Sequence, residues 1–106
     1  MKLILQVLES VYSEILEAAL YYENKQEGLG QKLYDNFENI LLEIEKRPLT
    51  FQKTRNNYRH ALLSRFPYLV IFHIYENKIL VFKLIHSKKH PSKRYKWKQS
   101  PSKKIK

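Results

Sequence analysis

Residues 68–86 read YLVIFHIYENKILVFKLIH, two runs of β-branched, aromatic and aliphatic residues separated by Glu76-Asn77. Two such runs of strand length, joined by a two-residue link that contains Asn, predict a β-hairpin. Asn tolerates the positive φ that a tight hairpin turn needs, so we expect Tyr75 and Lys78 to face each other.

This pairing, continued along both strands, predicts which side chains share a face, because paired residues would always have numbers that sum to 153. One face would carry His73, Leu80, Ile71, Phe82, Leu69, Leu84 and His86. The other would carry Ile74, Ile79, Phe72, Val81, Val70, Lys83, Tyr68 and Ile85. Both faces are mostly apolar, and a sheet of this kind needs cover on each side. If one layer of helices covers one face, the other is a candidate docking surface for a partner.

The segments before the hairpin predict one more strand and a helix. Residues 58–65 have strand composition and end at Phe66-Pro67. Upstream of them, apolar residues recur at helical spacing and predict an amphipathic helix over 31–46, which Pro48 would end. These residues are Leu33, Phe37, Ile40, Leu41 and Ile44.

The N-terminal part predicts a strand over 2–8 and a helix over 11–24, with Ser10 as the N-cap. Both glycines of the chain lie in Glu27-Gly28-Leu29-Gly30, which predicts a tight reversal between two antiparallel helices. The predicted fold class is therefore α+β: an N-terminal strand, an antiparallel helix hairpin and a three-stranded antiparallel meander.

The charge is divided unevenly along the chain. Residues 1–50 contain nine acidic residues and five Lys/Arg, a net charge of −4, whereas residues 51–106 contain fifteen Lys/Arg and the single acid Glu76, a net charge of +14. Such asymmetry indicates an anionic partner, either nucleic acid or an acidic protein.

Length and composition predict a single domain over 1–95 and a basic, flexible tail over 96–106. The first residues contain too short an apolar run for a signal peptide, and the later apolar stretch 66–72 is too short to span a membrane. We therefore expect a cytoplasmic protein that makes no contact with a membrane.

Several motifs, taken in order, resemble the ParE/RelE superfamily of bacterial type II toxin–antitoxin toxins. They are EAALYYE at 17–23, Gly28-Leu29-Gly30, Pro48, YRHALL at 58–63, RFPY at 65–68, and Ile85-His86 followed by Lys88, Lys89 and Pro91. The resemblance covers roughly residues 3–95. It implies the ParE/RelE toxin fold and a toxin that a cognate acidic antitoxin neutralises.

The resemblance implies two possible targets. ParE-like plasmid stabilisation proteins act on DNA gyrase, whereas RelE-like members cleave mRNA on the ribosome with cations on two strands and with an Arg and a Tyr near the C-terminus. Laid on the nuclease pattern, this sequence has His60 and Leu62 on the second strand, Leu69 at the third, Lys89 for the late Arg, and Tyr95. Leu can neither bind phosphate nor move a proton, so we expect growth inhibition through gyrase instead of nuclease activity.

Two alternatives stay open. One is a metal-independent, RelE-like endoribonuclease with Arg59, His86, Lys89 and Tyr95 as its candidate catalytic residues. The other is a family member that has lost toxicity and binds nucleic acid through its tail. His86 can also be a packing residue at the end of the sheet, and the surrounding lysines argue against a metal at His86 and His90. We expect neither metal nor cofactor.

The candidate residues for binding the antitoxin or the target are Arg59, Arg65, Lys83, His86, Lys88, Lys89 and Trp97. Arg59 and Arg65, at the two ends of the predicted strand 58–65, could hold a phosphate or carboxylate in a bidentate fork. Arg65 could equally pair with Glu23 or Glu43 on the helices. Trp97, between Lys96 and Lys98, could stack on a base, enter a partner or fold back on the sheet.

Overall fold

The computed structural model describes residues 3–54 and 56–87. Its elements, in chain order, are β1 (Ile4–Val7), α1 (Glu9–Lys25), α2 (Leu29–Lys46), a 3-10 turn (Pro48–Thr50), β2 (Arg59–Leu62), β3 (Tyr68–Tyr75) and β4 (Lys78–His86). The four strands form one sheet in the order β1-β4-β3-β2. The predicted boundary between residues 95 and 96 lies outside the described residues.

The sheet is mixed. β2, β3 and β4 form the antiparallel meander that the sequence predicted, and β1 adds to the other edge of β4 in parallel. The parallel pairing requires a crossover, which the two helices provide between β1 and the meander. The predicted α+β architecture is confirmed.

The helix hairpin covers one face of the sheet and forms the core with it. Helical spacing predicted the buried face of α2 correctly, since Leu33, Phe37 and Ile44 are fully buried. The core combines residues of both helices with alternate residues of the strands. It comprises Val11, Ile15, Leu33, Phe37, Leu41, Ile44, Ala61, Leu63, Phe66, Tyr68, Val70, Phe72, Ile79 and Val81.

The turn between the helices depends on both glycines. Gly28 has φ 88°, in the left-handed region that favours glycine. At Gly30 an added Cβ would lie 2.4 Å from the carbonyl oxygen of Ala19, so the close approach of α2 to α1 requires the absence of a side chain there. Glu23 fixes the turn, because its carboxylate accepts hydrogen bonds from the amides of Gly28 (2.8 Å) and Gly30 (2.9 Å).

The prediction of Ser10 as the N-cap of α1 is wrong. The helix begins at Glu9, the cap position is Leu8, and no side chain caps it. Leu8 contributes its amide to the sheet instead, donating to the carbonyl of Val81 at 3.0 Å. The strand-to-helix transition is thus fixed by backbone pairing with β4, which a search for capping residues does not detect.

β2 is shorter than the predicted strand over 58–65. Asn36 of α2 holds the chain after β2, because its side-chain oxygen accepts from the amide of Arg65 (3.1 Å) and its nitrogen donates to the hydroxyl of Ser64 (3.0 Å). The chain therefore turns towards α2 before it reaches Pro67, and Arg65 lies in this turn instead of at the end of the strand.

The predicted register between β3 and β4 is correct near the turn and wrong beyond it. Tyr75 pairs with Lys78 as predicted, but the register shifts at Ile71/Phe72, where Ile71 pairs with Lys83 and Phe82 is the additional residue of a β-bulge. Beyond the bulge every side chain of β4 changes face relative to the prediction. Lys83 and Ile85 therefore lie on the side away from the helices, while Leu84 and His86 lie on the helix side.

Candidate functional site

The face of the sheet that the helices leave uncovered is the candidate functional surface, and we call it the open face. The meander contributes His60, Leu62, Leu69, Ile71, His73, Tyr75, Lys78, Leu80, Phe82, Lys83 and Ile85, and β1 contributes Ile4 and Gln6. None of these side chains belongs to the core cluster, and the aliphatic ones in the central strands are half-buried. Leu62, near the β2 edge, is 58% exposed.

Aromatic rings pack along the open face. Tyr58 immediately precedes β2 and makes edge contacts with His73 (5.2 Å between centroids) and with Phe82 (4.9 Å). The ring of His73 also lies 5.4 Å from that of Tyr75. Tyr58 was not among the predicted site residues. The residue before it, Asn57, has φ 71°, and Asn is a residue type that adopts positive φ more readily than most. Phe82 lies on this face in the predicted register as well, and only the residues after it change face at the bulge.

The charge of the open face is positive. Lys83 is exposed beside the apolar residues of β4, and Lys78 lies at the start of the same strand. The side chains that define this face include no carboxylate, and Glu76 is in the turn beyond its end. An apolar surface flanked by lysines favours an amphipathic partner with acidic residues.

Three of the residues that were laid on the nuclease pattern, His60, Leu62 and Leu69, lie on this face. Leu62 is directly opposite Leu69, and His60 is opposite Ile71 on the neighbouring pair of the same two strands. The two leucines therefore form an apolar patch where a phosphate-binding group would be needed. The leucines themselves carry no charge, whereas Lys83, on the same face, pairs with Ile71.

Arg59 makes contacts within the protein. It pairs with Phe72, whose side chain is on the helix side, and its guanidinium donates to the carbonyl oxygens of Phe51 (2.7 Å) and Leu49 (3.5 Å). This geometry favours a role in holding the segment after the 3-10 turn against β2. The participation of Arg59 in binding or catalysis stays a prediction.

Arg65 is exposed and does not pair with either carboxylate that the sequence suggested. Glu23 accepts from Gly28 and Gly30, and Glu43 pairs with Arg47 one helical turn later. Arg59 lies in β2 and Arg65 in the turn that Asn36 holds, so the two do not mark the ends of one strand as the sequence predicted.

His86 lies on the helix side of the sheet. It pairs with Tyr68, and the two rings make an edge contact with centroids 4.9 Å apart. Burial raises the pKa of Tyr68 to about 12, and Tyr22 adds to this effect, so the phenol is neutral at physiological pH. The other predicted site residues, Lys88, Lys89, Tyr95 and Trp97, lie outside the described residues.

Across residues 3–54 and 56–87, no group of three or more His, Cys, Asp or Glu side chains is arranged to hold a metal ion. Over the same residues, none of the helices has the length and apolar character needed to cross a membrane.

Comparison with known proteins gives a match in structure and none in sequence. No protein-family model matches the chain, and no curated protein matches it. The fold is similar to that of a solved chain described as "Chromosomal ParDE TA system from P. aeruginosa", with a TM-score of 0.60 and 11% sequence identity. The match covers 79% of this chain and 95% of that chain. At this identity the likeness shows the fold alone, and the fold agrees with the α+β arrangement that the sequence predicted.

Proposed function

We propose that this protein is the toxin component of a type II toxin–antitoxin system, of the ParE-like kind, and that its open face binds a partner protein. The observation that carries the proposal is an uncovered apolar sheet face with lysines beside it, in a fold similar to that of a chain from a ParDE system. The partner that neutralises it would be an acidic antitoxin, and the compartment would be the cytoplasm.

Burial of apolar surface supports the choice of the open face. Leu62, Leu69 and Ile85 lie next to one another across three strands, since Leu69 pairs with Leu62 on one side and with Ile85 on the other. Covering such side chains removes apolar area from water, which stabilises a complex by about 25 cal/mol for each Å². Acidic residues on the partner would meet Lys78 and Lys83 at the same time.

The chemistry of the face supports a binding toxin over a nuclease. Transfer of the 2′-hydroxyl proton and stabilisation of the phosphorane both need polar groups at the reacting atoms, and Leu62 and Leu69 supply neither. We therefore propose DNA gyrase, the target of ParE-like proteins, in preference to ribosome-bound mRNA.

The first experiment is inducible expression of the chain in a bacterial host, followed by two assays on the purified protein. We expect growth inhibition, loss of gyrase supercoiling activity and no cleavage of ribosome-bound mRNA. Cleavage of mRNA with supercoiling intact would favour the RelE-like alternative. Absence of growth inhibition would contradict the toxin proposal and favour a non-toxic member that binds nucleic acid.

The surface is tested by two matched substitutions of exposed leucines. Leu62→Glu introduces a carboxylate into the open face, and Leu20→Glu introduces one into the solvent side of α1, where the leucine is 67% exposed. Neither side chain is in the core, so both variants should fold. We expect Leu62→Glu to abolish growth inhibition and Leu20→Glu to leave it intact; the reverse result would assign the functional surface to the helices.

A further inference from the structure

A groove runs between α1 and the end of the sheet, on the side opposite the open face. One wall consists of Glu14, Glu17, Ala18 and Tyr21, which lie on one face of α1 because their spacing is i, i+3, i+4, i+7. The other wall consists of Tyr68, Leu84 and His86. The groove has a volume of about 300 Å³ and combines two carboxylates with aromatic and aliphatic surface. We call it the α1–β4 groove.

The β-bulge creates the sheet wall of this groove. It places Leu84 and His86 on the helix side, where the predicted register would have put Lys83 and Ile85. Among the described residues that line the groove there is consequently no Lys or Arg, and the carboxylates of Glu14 and Glu17 face apolar and aromatic groups. Its chemistry fits a cationic segment that also has apolar or aromatic side chains.

The helix hairpin and the C-terminal segment have opposite charge. Residues 9–46 contain nine acidic residues and three lysines, a net charge of −6. Residues 88–106 contain nine Lys/Arg and no acid. The two segments therefore attract each other, and this attraction acts over distances of about 10 Å at moderate salt.

The chain leaves the sheet beside the groove. His86 lines it, and the amide of Ser87 donates to the carbonyl of Pro67 at 2.7 Å, which fixes the direction of departure. The following residue is Lys88. The ten residues from Lys88 to Trp97 can extend about 33 Å, whereas Glu14 and Tyr21 are only about 10 Å apart along the helix. The segment after the sheet is therefore long enough to reach along the groove of its own molecule.

We propose that the α1–β4 groove binds the chain's own cationic segment, residues 88–98. Lys and Arg side chains of this segment pair with Glu14 and Glu17, and the indole of Trp97 packs on the aromatic wall. In the free protein this contact neutralises part of the positive charge, so an anionic partner has to displace the segment before it can use those lysines. The inference does not depend on the toxin proposal, because it concerns contacts within one chain.

Trp97 makes the proposal testable in the full chain, since it is the sole tryptophan and its fluorescence reports its surroundings. The measurement is quenching by acrylamide, a neutral molecule, in low and in high salt. We expect Trp97 to be protected in low salt and to become accessible, with a red-shifted emission, as salt screens the ion pairs. The Glu14→Gln/Glu17→Gln variant should be accessible at every salt concentration.

The matched control is Glu45→Gln/Glu76→Gln, which removes the same charge from two positions that do not line the groove. Glu76 lies in the turn before β4, and the eight-residue rise from Lys78 to His86 puts it more than about 27 Å from the end at which the groove is found. The control should behave as the wild type does. Equal quenching in the wild type and the groove variant, or equal loss of protection in the groove variant and the control, would overturn the proposal.

Zero-length coupling of carboxylates to lysines distinguishes docking within one chain from docking on a second copy. A carbodiimide should join Glu14 or Glu17 to a lysine of residues 88–98 in a product of monomer mass, identified by peptide mapping. The same link in a product of dimer mass, or lysines of this segment coupled to other carboxylates alone, would overturn the assignment.

Discussion

Glu23 determines how the two helices meet, because one carboxylate fixes two backbone amides of the following turn. Its oxygens accept from Gly28 and Gly30 at 2.8 and 2.9 Å, so the last turn of α1 is joined to the first turn of α2. These amides would otherwise be unpaired donors at a helix N-terminus. A negative charge at that place is also stabilised by the dipole of α2.

The two glycines of this turn should differ in their response to the same substitution. Gly30→Ala places a Cβ 2.4 Å from the carbonyl oxygen of Ala19, so the helices have to move apart, and we expect a loss of about 3 kcal/mol in the free energy of unfolding. Gly28→Ala meets no atom within 4 Å and should cost roughly 1 kcal/mol, because its φ of 88° disfavours a side chain. Urea denaturation measures both, and equal losses would contradict the packing argument.

Glu23 should also make stability depend on pH. The hydrogen bond from Gly28, followed by that from Gly30, lowers the pKa of Glu23 below its ordinary value. A carboxyl group whose pKa is lower in the folded state contributes stability above its unfolded pKa, and this contribution disappears as the pH falls through the folded value.

We therefore expect the wild type to lose more stability than Glu23→Gln when the pH is lowered from about 7 to about 3, because the amide of the variant does not titrate. Urea denaturation across this range gives the two curves. Glu45→Gln, at an exposed position on α2, controls for the general effect of removing one carboxylate. Parallel curves for the wild type and Glu23→Gln would show that the hydrogen bonds to Gly28 and Gly30 do not stabilise the charged form.

At the scale of elements, the segment between α2 and β2 is held by Arg59, which the sequence predicted to be a binding residue. Arg59 donates to the carbonyl oxygens of Phe51 and Leu49. The backbone of the same segment also pairs with β2: Lys53 forms a bridge with Arg59, and the amide of His60 donates to the carbonyl of Gln52. The segment therefore behaves as an extension of the sheet edge, although it contains no long strand.

Arg59→Met should lower the free energy of unfolding by about 1–2 kcal/mol, since it removes a charged donor from two carbonyl oxygens and retains the aliphatic stem. Lys53→Met is the matched control: it removes a cation from the same region, its side chain is exposed, and the change should stay within about 0.5 kcal/mol. Thermal denaturation compares the two. If both variants are as stable as the wild type, Arg59 has no structural role and the binding role regains support.

The elements show which features can be predicted from a sequence. Leu33, Phe37, Leu41 and Ile44 revealed α2 because helical periodicity depends on one buried face, and Tyr75 and Lys78 were paired correctly because a two-residue turn fixes the nearest register. The bulge at Phe82 could not be predicted, since alternation in an apolar run is equally compatible with both registers. The partners of Arg59 are backbone carbonyls, and because every residue has one, the sequence does not indicate which of them Arg59 contacts.

For the candidate site, the β-bulge at Phe82 changed the predicted surface more than the shorter bounds of β2 did. The sequence predicted that one apolar face would stay uncovered and named Lys83 as a binding residue. Its register grouped Lys83 with Ile79 and Val81, which the helices cover in the structure, and His86 with the opposite face. The structure exchanges the two. The residue types identified the candidate site residues. The strand pairing of the structure then showed which of them share a face.

At the scale of the whole molecule, charge and hydrophobicity are arranged in layers. The helix hairpin carries nine of the ten acidic residues, the sheet beneath it has an uncovered apolar face, and that face carries Lys78 and Lys83. A polyanion should therefore approach the sheet from the open side, where it meets cations and avoids the carboxylates of the helices.

Binding to double-stranded DNA without sequence preference tests this orientation, because each phosphate contact releases counterions. The logarithm of the binding constant falls with the logarithm of the salt concentration by about 0.9 for each contact. If Lys78 and Lys83 each contact a phosphate, the Lys78→Gln/Lys83→Gln variant should lower the magnitude of this slope by about 1.8. Lys25→Gln/Lys32→Gln removes the same charge from the acidic hairpin and should leave the slope unchanged. Equal reductions in both variants would mean that the polyanion responds to net charge alone and that the open face has no orienting effect.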